Sequence, residues 1–226
     1  WLSDSRTKYY SHNGAVKDVA VEPPLRSHQV ESVADLVAAA KKWGQAGTIW
    51  ISESRVTLAI NDALRDEFVT LPLHHTDTFR TVAKLVQSPV MDQSTLIKLL
   101  RREFRGASQT TKLLGSVRKL KFNRNESGYS NIQQGNESMG RSVEAAVVGA
   151  DEPFEELLTV PLAIYSNAGE RVMIGFSFDV DTMNQKFHVK PLPDEIDAAV
   201  KQVLTGIKAD IQQGLSPEYP VFFGTM

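Results

Sequence analysis

The chain has 226 residues, of which 42% are hydrophobic and 23% charged, with a formal net charge of −2; this ordinary globular composition provides for a substantial core, in one domain or two modest ones. There is no cysteine, which excludes disulfides, thiol nucleophiles and cysteine metal sites. No apolar run approaches the roughly 18 residues that span a membrane, so no membrane partner is expected, although a start at Trp1 leaves open a targeting segment removed ahead of it.

Residues 1–30 are polar and read as an extended N-terminal arm, with strand-like pieces at Thr7–Tyr10 and Val16–Val21 and a stiff exit at Pro23-Pro24. Glu31–Trp43 reads as a helix capped by Ser32, with Val33, Leu36, Val37 and Ala40 on its apolar side. Thr48–Ile51 and Arg55–Ile60 are β-branched runs around Ser52-Glu53-Ser54, a hairpin pattern, and Glu67–Leu73 is a third strand. Thr76 caps a helix over Thr76–Val86, with Phe79, Val82, Ala83 and Val86 inside. A second helix is predicted from its cap Asp92 to Gly106, with Leu96, Leu100 and Phe104 recurring every four residues.

Ser116–Asn123 reads as a strand, and residues 123–141, rich in Asn, Ser, Gly and Gln, as a long exposed polar loop. Leu157–Tyr165 and Val172–Val180 are apolar strands joined by a tight turn at Asn167-Ala168-Gly169, and Lys186–Val189 adds another strand. Asp194–Gln213 is a long helix whose seam is Ile196, Val200, Val203, Ile207 and Ile211, placed either on the Leu157–Val180 sheet or against the same helix of another subunit. The fold class is therefore α+β: an antiparallel sheet packed with several helices, the arm 1–30, and a single domain over 31–226 with the loop 123–141 exposed.

Charge is the most informative feature. Residues 98–124 carry nine Lys/Arg against one acid, whereas residues 142–170 carry six acids and no Lys/Arg. On the predicted helix, Lys98, Arg101, Arg102 and Arg105 fall at i, i+3, i+4 and i+7, one face of like charges that a bound anion would relieve. Lys119 and Lys121 extend this surface on one side of the predicted strand. Three readings share the pattern: a solvated face; a face for nucleic acid or another polyanion, bound in a salt-dependent way; or a subunit contact in a homo-oligomer, with Glu152, Glu155 and Glu156 supplying the acidic side.

No catalytic constellation is present. A phosphate-binding loop is missing, and Gly175-Phe176-Ser177-Phe178-Asp179 lacks the second Gly of a nucleophile elbow. Ser5-Arg6-Thr7-Lys8 and Ser116-Val117-Arg118-Lys119 match only the short Ser-x-x-Lys pattern. His74-His75 reads as a turn at a strand end, since neighbours on a strand face opposite ways. Asp179 and Asp181, two apart, are the nearest approach to a hard-cation pair, but the Gly and Glu of a calcium-binding loop are missing. No metal ligands, cofactor or catalytic residues are assigned; a hydrolase or metal-dependent enzyme is the outlying alternative.

The order of segments Ser32–Trp43, Thr48–Asn61, Phe68–Leu73, the paired helices ending at Arg105, Leu158-Thr159-Val160-Pro161-Leu162, Val172–Val180 and Tyr219-Pro220-Val221-Phe222-Phe223-Gly224 resembles the YfdQ-like family of phage and prophage proteins, a domain of unknown function. The resemblance covers most of the chain from about residue 30 on; residues 1–30 and 123–141 fit it least. It implies a bacterial or phage cytoplasmic origin and supplies no catalytic residues. The resulting expectation is a non-enzymatic, self-assembling protein whose basic face binds a polyanion, with a purely structural or shell-forming oligomer as the alternative.

Overall fold

The computed structural model describes residues 7–12, 15–20, 26–43, 47–60, 67–107, 109–120, 157–181, 183–216 and 219–225. The fold is α+β. The chain divides into two compact units: one of residues 1–74 and 204–226, the other of residues 75–203.

The first unit opens with an antiparallel hairpin, β1 (Thr7–His12) and β2 (Ala15–Ala20), at the two strand-like pieces of the expected arm. Its main sheet uses β3 (Arg26–Gln29), β4 (Thr48–Ile51), β5 (Arg55–Ala59), β6 (Glu67–Pro72) and β11 (Val221–Phe223), in the order β11-β4-β5-β6-β3. The predicted hairpin β4–β5 and its neighbour β6 are antiparallel, but β3 joins β6 and β11 joins β4 in parallel, so the sheet is mixed. The parallel pairs come from segments distant in sequence, whose direction no local pattern dictates.

Period-two alternation lines up the core of this sheet. Ile49 sits opposite Leu58, which sits opposite Val69; Ile51, Val56 and Leu71 form the next row. All six are 1% exposed or less, and burying each such side chain is worth about 1.5–3 kcal/mol. Helix α1 (Val33–Trp43) begins where Ser32 Oγ accepts from the Asp35 amide at 3.2 Å and donates to its carboxylate at 2.7 Å. It packs on β6. Gly47 permits a close approach: a Cβ there would lie 2.4 Å from the Ala59 carbonyl oxygen and 2.8 Å from Tyr219 Oη.

The second unit holds a wholly antiparallel sheet in the order β7-β10-β9-β8, from β7 (Val90–Met91), β8 (Leu157–Ala163), β9 (Arg171–Asp181) and β10 (Lys186–Pro191). Leu158, Val160 and Leu162 pair with Phe176, Ile174 and Val172, and all six are buried. Around this sheet lie α2 (Asp77–Lys84), α3 (Gln93–Arg102) and α4 (Thr110–Lys119). The connection between β8 and β9 is longer than a tight turn: Tyr165 leaves the ladder to bridge His75, and Gly169 then takes φ 78°.

Two predicted elements are corrected. Helix α3 stops at Arg102, with Glu103 as C-cap, and does not reach Gly106. The amides of Glu103 and Phe104 both bond Leu99 O, at 2.9 and 3.2 Å. This widens the last turn and carries Phe104 into the core, 0% exposed, with its ring 4.7 Å from Phe176. Ser116–Lys119 is the end of α4, where a strand is expected. Leu113 and Val117, buried four residues apart, form one side of a helix, and the Gln93 amide donates to the carbonyls of Val117 (2.5 Å) and Leu120 (3.1 Å), closing that helix end.

The last helix, α5 (Glu195–Gly214), contributes residues to Val203 to the second unit and from Leu204 to the first. Its buried stripe is Ala199, Val203, Ile207 and Ile211, stepping by four, with Leu204 beside it; Ile196 and Val200 of the predicted seam are only half-buried. Within the first unit, a Cβ at Gly214 would lie 2.7 Å from Val37 of α1.

Candidate functional site: an arginine-lined cleft

The first turn of α2 is fixed by Thr76. Its Oγ1 accepts from the Phe79 amide at 3.1 Å and donates to Ala163 O at 2.6 Å, while its own amide donates to Ile164 O at 2.9 Å. One residue thus caps the helix and ties it to the end of β8. Two residues on, Thr78 Oγ1 donates to Glu103 Oε2 at 2.6 Å, which holds the α3 C-cap against α2. The turn after α3 is closed by the buried Thr110, whose hydroxyl donates to Phe104 O at 2.6 Å. Gly106 lies against β8, where a Cβ would meet Pro161 Cγ at 3.1 Å.

These ties enclose a cleft of about 540 Å³ within the second unit. Its charged lining is Arg102 at the end of α3, Arg105 in the following turn, Arg171 at the start of β9 opposite Ala163, and Glu103. Thr76 and Thr78 form one side; Pro161, Leu162 and Ala163 of β8 form the apolar wall. Three guanidiniums against one carboxylate leave a net charge of plus two. Arg102, Arg105 and Arg171 are exposed, and their side chains have no hydrogen bond or ion pair with other described residues. Such planar, permanently charged forks match phosphate or carboxylate oxygens two at a time.

The expected basic face is thereby divided. Lys98, Arg101 and Arg102 are exposed on α3 at i, i+3 and i+4. Arg105 is exposed as well, but reaches the surface from a turn, so the helical i+7 placement is corrected. Lys119 ends α4 and so is not on a strand. Lys121, the loop 123–141 and the acidic candidates Glu152, Glu155 and Glu156 lie outside the described residues. Arg101 and Arg102 also have a local role, since cations in the last turn oppose the negative end of the helix dipole by about 0.3–1 kcal/mol each. Arg171 carries no local signal in the sequence: it stands 66 positions from Arg105, and only strand pairing brings it to the cleft.

His74 is exposed two residues after β6, and the His75 ring stacks on Tyr165 at 5.0 Å and 18°. Asp181 accepts from the side-chain amide of Asn184 at 2.7 Å and from its backbone amide at 3.0 Å, and these bonds hold its carboxyl below the usual carboxylate range. Asp179 accepts from the Val180 amide at 2.7 Å. Among the described residues no three His, Asp or Glu side chains gather as metal ligands, and no helix is long and apolar enough to cross a membrane. No family model, curated protein or solved structure matches the chain.

Proposed function

We propose that the protein is a non-enzymatic polyanion-binding protein whose ligand is the phosphate backbone of nucleic acid. The observation that carries this reading is the set Lys98, Arg101, Arg102 and Arg105, exposed on α3 and the turn after it, whose side chains have no ion-pair partner among the described residues. Groups of this kind bind through charge neutralisation and counterion release, independent of base sequence. Among the described residues no exposed aromatic side chain accompanies the four cations, so base stacking has no part in the reading. The proposal takes in the phage or prophage origin, and the bacterial cytoplasmic setting, that the YfdQ-like resemblance implies; segment order is what supports that part.

The test is binding of a labelled DNA duplex by fluorescence anisotropy across a salt series. Affinity should fall steeply with salt, and Arg101→Glu with Arg102→Glu should weaken it at least about 100-fold while reducing the salt slope by roughly one for each phosphate no longer neutralised. Unchanged binding in that double variant would sink the reading.

A second reading, self-assembly, is favoured by the margins of the first unit's sheet. All four residues of the edge strand β3 are exposed, and Phe222 and Phe223 are 49% and 50% exposed on the opposite edge strand β11. Light-scattering mass on a sizing column tests it: a defined multimer that weakens on deleting residues 1–22 supports assembly, and a monomer at all concentrations removes it.

A further inference from the structure

The cleft differs from the rest of the basic face in shape and in source. Lys98 and Arg101 lie outside its lining, whereas Arg102, Arg105 and Arg171 converge on it from a helix end, a turn and a strand. An extended backbone carries one negative charge per phosphodiester and is served by a row of cations. A pocket with two uncompensated positive charges suits a more concentrated anion. A phosphate monoester carries about 1.5 to 2 negative charges near neutral pH, which matches the excess left by three guanidiniums and Glu103. Guanidinium forks grip such a group with paired hydrogen bonds.

Size points the same way. About 540 Å³ is far more than a lone phosphate needs and falls in the usual range for small-ligand pockets, roughly 300–1,000 Å³. Besides the arginines, the lining includes Pro161 and Ala163 of β8 and the carboxylate of Glu103. Thr78 already donates to one oxygen of Glu103, which fixes the carboxylate as an acceptor for a hydroxyl or amino group. A ligand that filled this space would carry an organic group with a hydrogen-bond donor beside its phosphate.

We infer that this cleft binds a terminal phosphate monoester of a nucleotide, either the 5′ end of a nucleic-acid strand or a free mononucleotide, with Arg105 and Arg171 gripping the phosphate and Glu103 accepting from the attached nucleoside. The inference rests on the anion-binding reading of the same face and adds the chemical form of the ligand. Arg171 separates the two, because it lines the cleft but is no part of the α3 row.

The experiment uses the full chain at one fixed ionic strength. Its probes are a short single strand bearing a 5′ phosphate, the same strand with a 5′ hydroxyl, and adenosine monophosphate against adenosine as competitors. The 5′-phosphorylated strand should bind about tenfold tighter than the hydroxyl strand. Arg171→Gln should erase that preference and leave the hydroxyl strand within about twofold of its original affinity, whereas Arg101→Gln should weaken both strands equally. Arg105→Gln provides a second cleft variant should the first fold poorly. Equal affinity for the two strands, together with no preference for adenosine monophosphate over adenosine, overturns the inference and leaves the polyanion reading standing. A preference that survives both cleft variants also overturns it. If the hydroxyl strand does not bind at all, the polyanion reading fails; Arg171-dependent binding of adenosine monophosphate then supports the cleft with a free nucleotide as its source.

Discussion

In the first unit, two lysines and a histidine meet partners close at hand. Lys42 Nζ lies 4.8 Å from the centre of the Trp43 ring, Lys208 Nζ lies 5.0 Å from that of Phe223, and His28 Nε2 is 3.2 Å from Glu67. Arg26, Lys41 and Arg55 stand on three separate elements. In the second unit, Arg80 pairs with Asp77, but Lys98, Arg101, Arg102, Arg105 and Arg171 gather around α3 and the cleft with no such partner among the described residues. The contrast is the basis of the proposed reading: the fold concentrates positive charge around α3 and the cleft and leaves those side chains without ion-pair partners among the described residues. A cation over an aromatic ring is already served, by about 0.5–1 kcal/mol at an exposed site.

Core truncation tests this contrast most severely. Phe104→Ala should cost about 3–5 kcal/mol in urea denaturation, and because Glu103 and Arg105 flank Phe104, polyanion binding should fall with it. Leu58→Ala in the first unit should cost a comparable 2–5 kcal/mol and leave the affinity of the folded protein unchanged. An equal drop in binding in the two variants would break the comparison.

A smaller effect is expected from Gly47→Ala. Its new Cβ must displace the Ala59 carbonyl or Tyr219, so a destabilisation of about 1–3 kcal/mol is expected, with no effect on binding. Next comes Thr76→Ala, which removes the α2 cap and the bond to Ala163. A destabilisation of about 1 kcal/mol is expected, read as a small fall in Tm; an unchanged Tm would show that the tie between α2 and β8 carries little energy.

The smallest effects concern pH and fall on opposite limbs of the stability curve. Asp92 of the second unit accepts from the Thr95 amide at 2.7 Å and from the Ser94 hydroxyl at 3.1 Å, which holds its carboxyl below the usual range. Its contribution is therefore present above the unfolded pKa and lost as pH falls through the lower folded value. Asp92→Asn should flatten that part of the acid limb. Tyr219 of the first unit has its phenol pushed up by burial. The fold favours the neutral phenol, so stability is retained below the ordinary tyrosine pKa and declines as pH rises through the folded one. Tyr219→Phe should reduce that alkaline decline. Denaturation midpoints across pH check both, and a Tyr219→Phe curve parallel to the parent at high pH would contradict the second.

Much of the fold is legible in the sequence because local chemistry specifies it. Ser32, Thr76 and Asp92 cap the helices they precede. The alternation in Thr48–Ala59 and Leu157–Asp181 sets which faces are buried. Errors arise where tertiary packing overrides a local reading. Val117 fits a strand or a helix, and its burial with Leu113 decides for the helix. Gly106 resembles a helix stop, yet Phe104 turns inward two residues earlier. In α5 an apolar seam read from Ile196 gives way to one running through the small Ala199, because spacing selects the buried side ahead of side-chain size.

The site shows the same division. The sequence by itself determined the α+β class, the caps, the strand faces and a run of cations at Lys98, Arg101, Arg102 and Arg105, since each follows from neighbours a few positions apart. Only the tertiary structure decided that Arg105 leaves the helix, that Thr78 restrains Glu103, and that Arg171 enters the same cleft. Strand pairing and loop closure join positions far apart in the chain, and no spacing rule reaches across the 66 positions between Arg105 and Arg171.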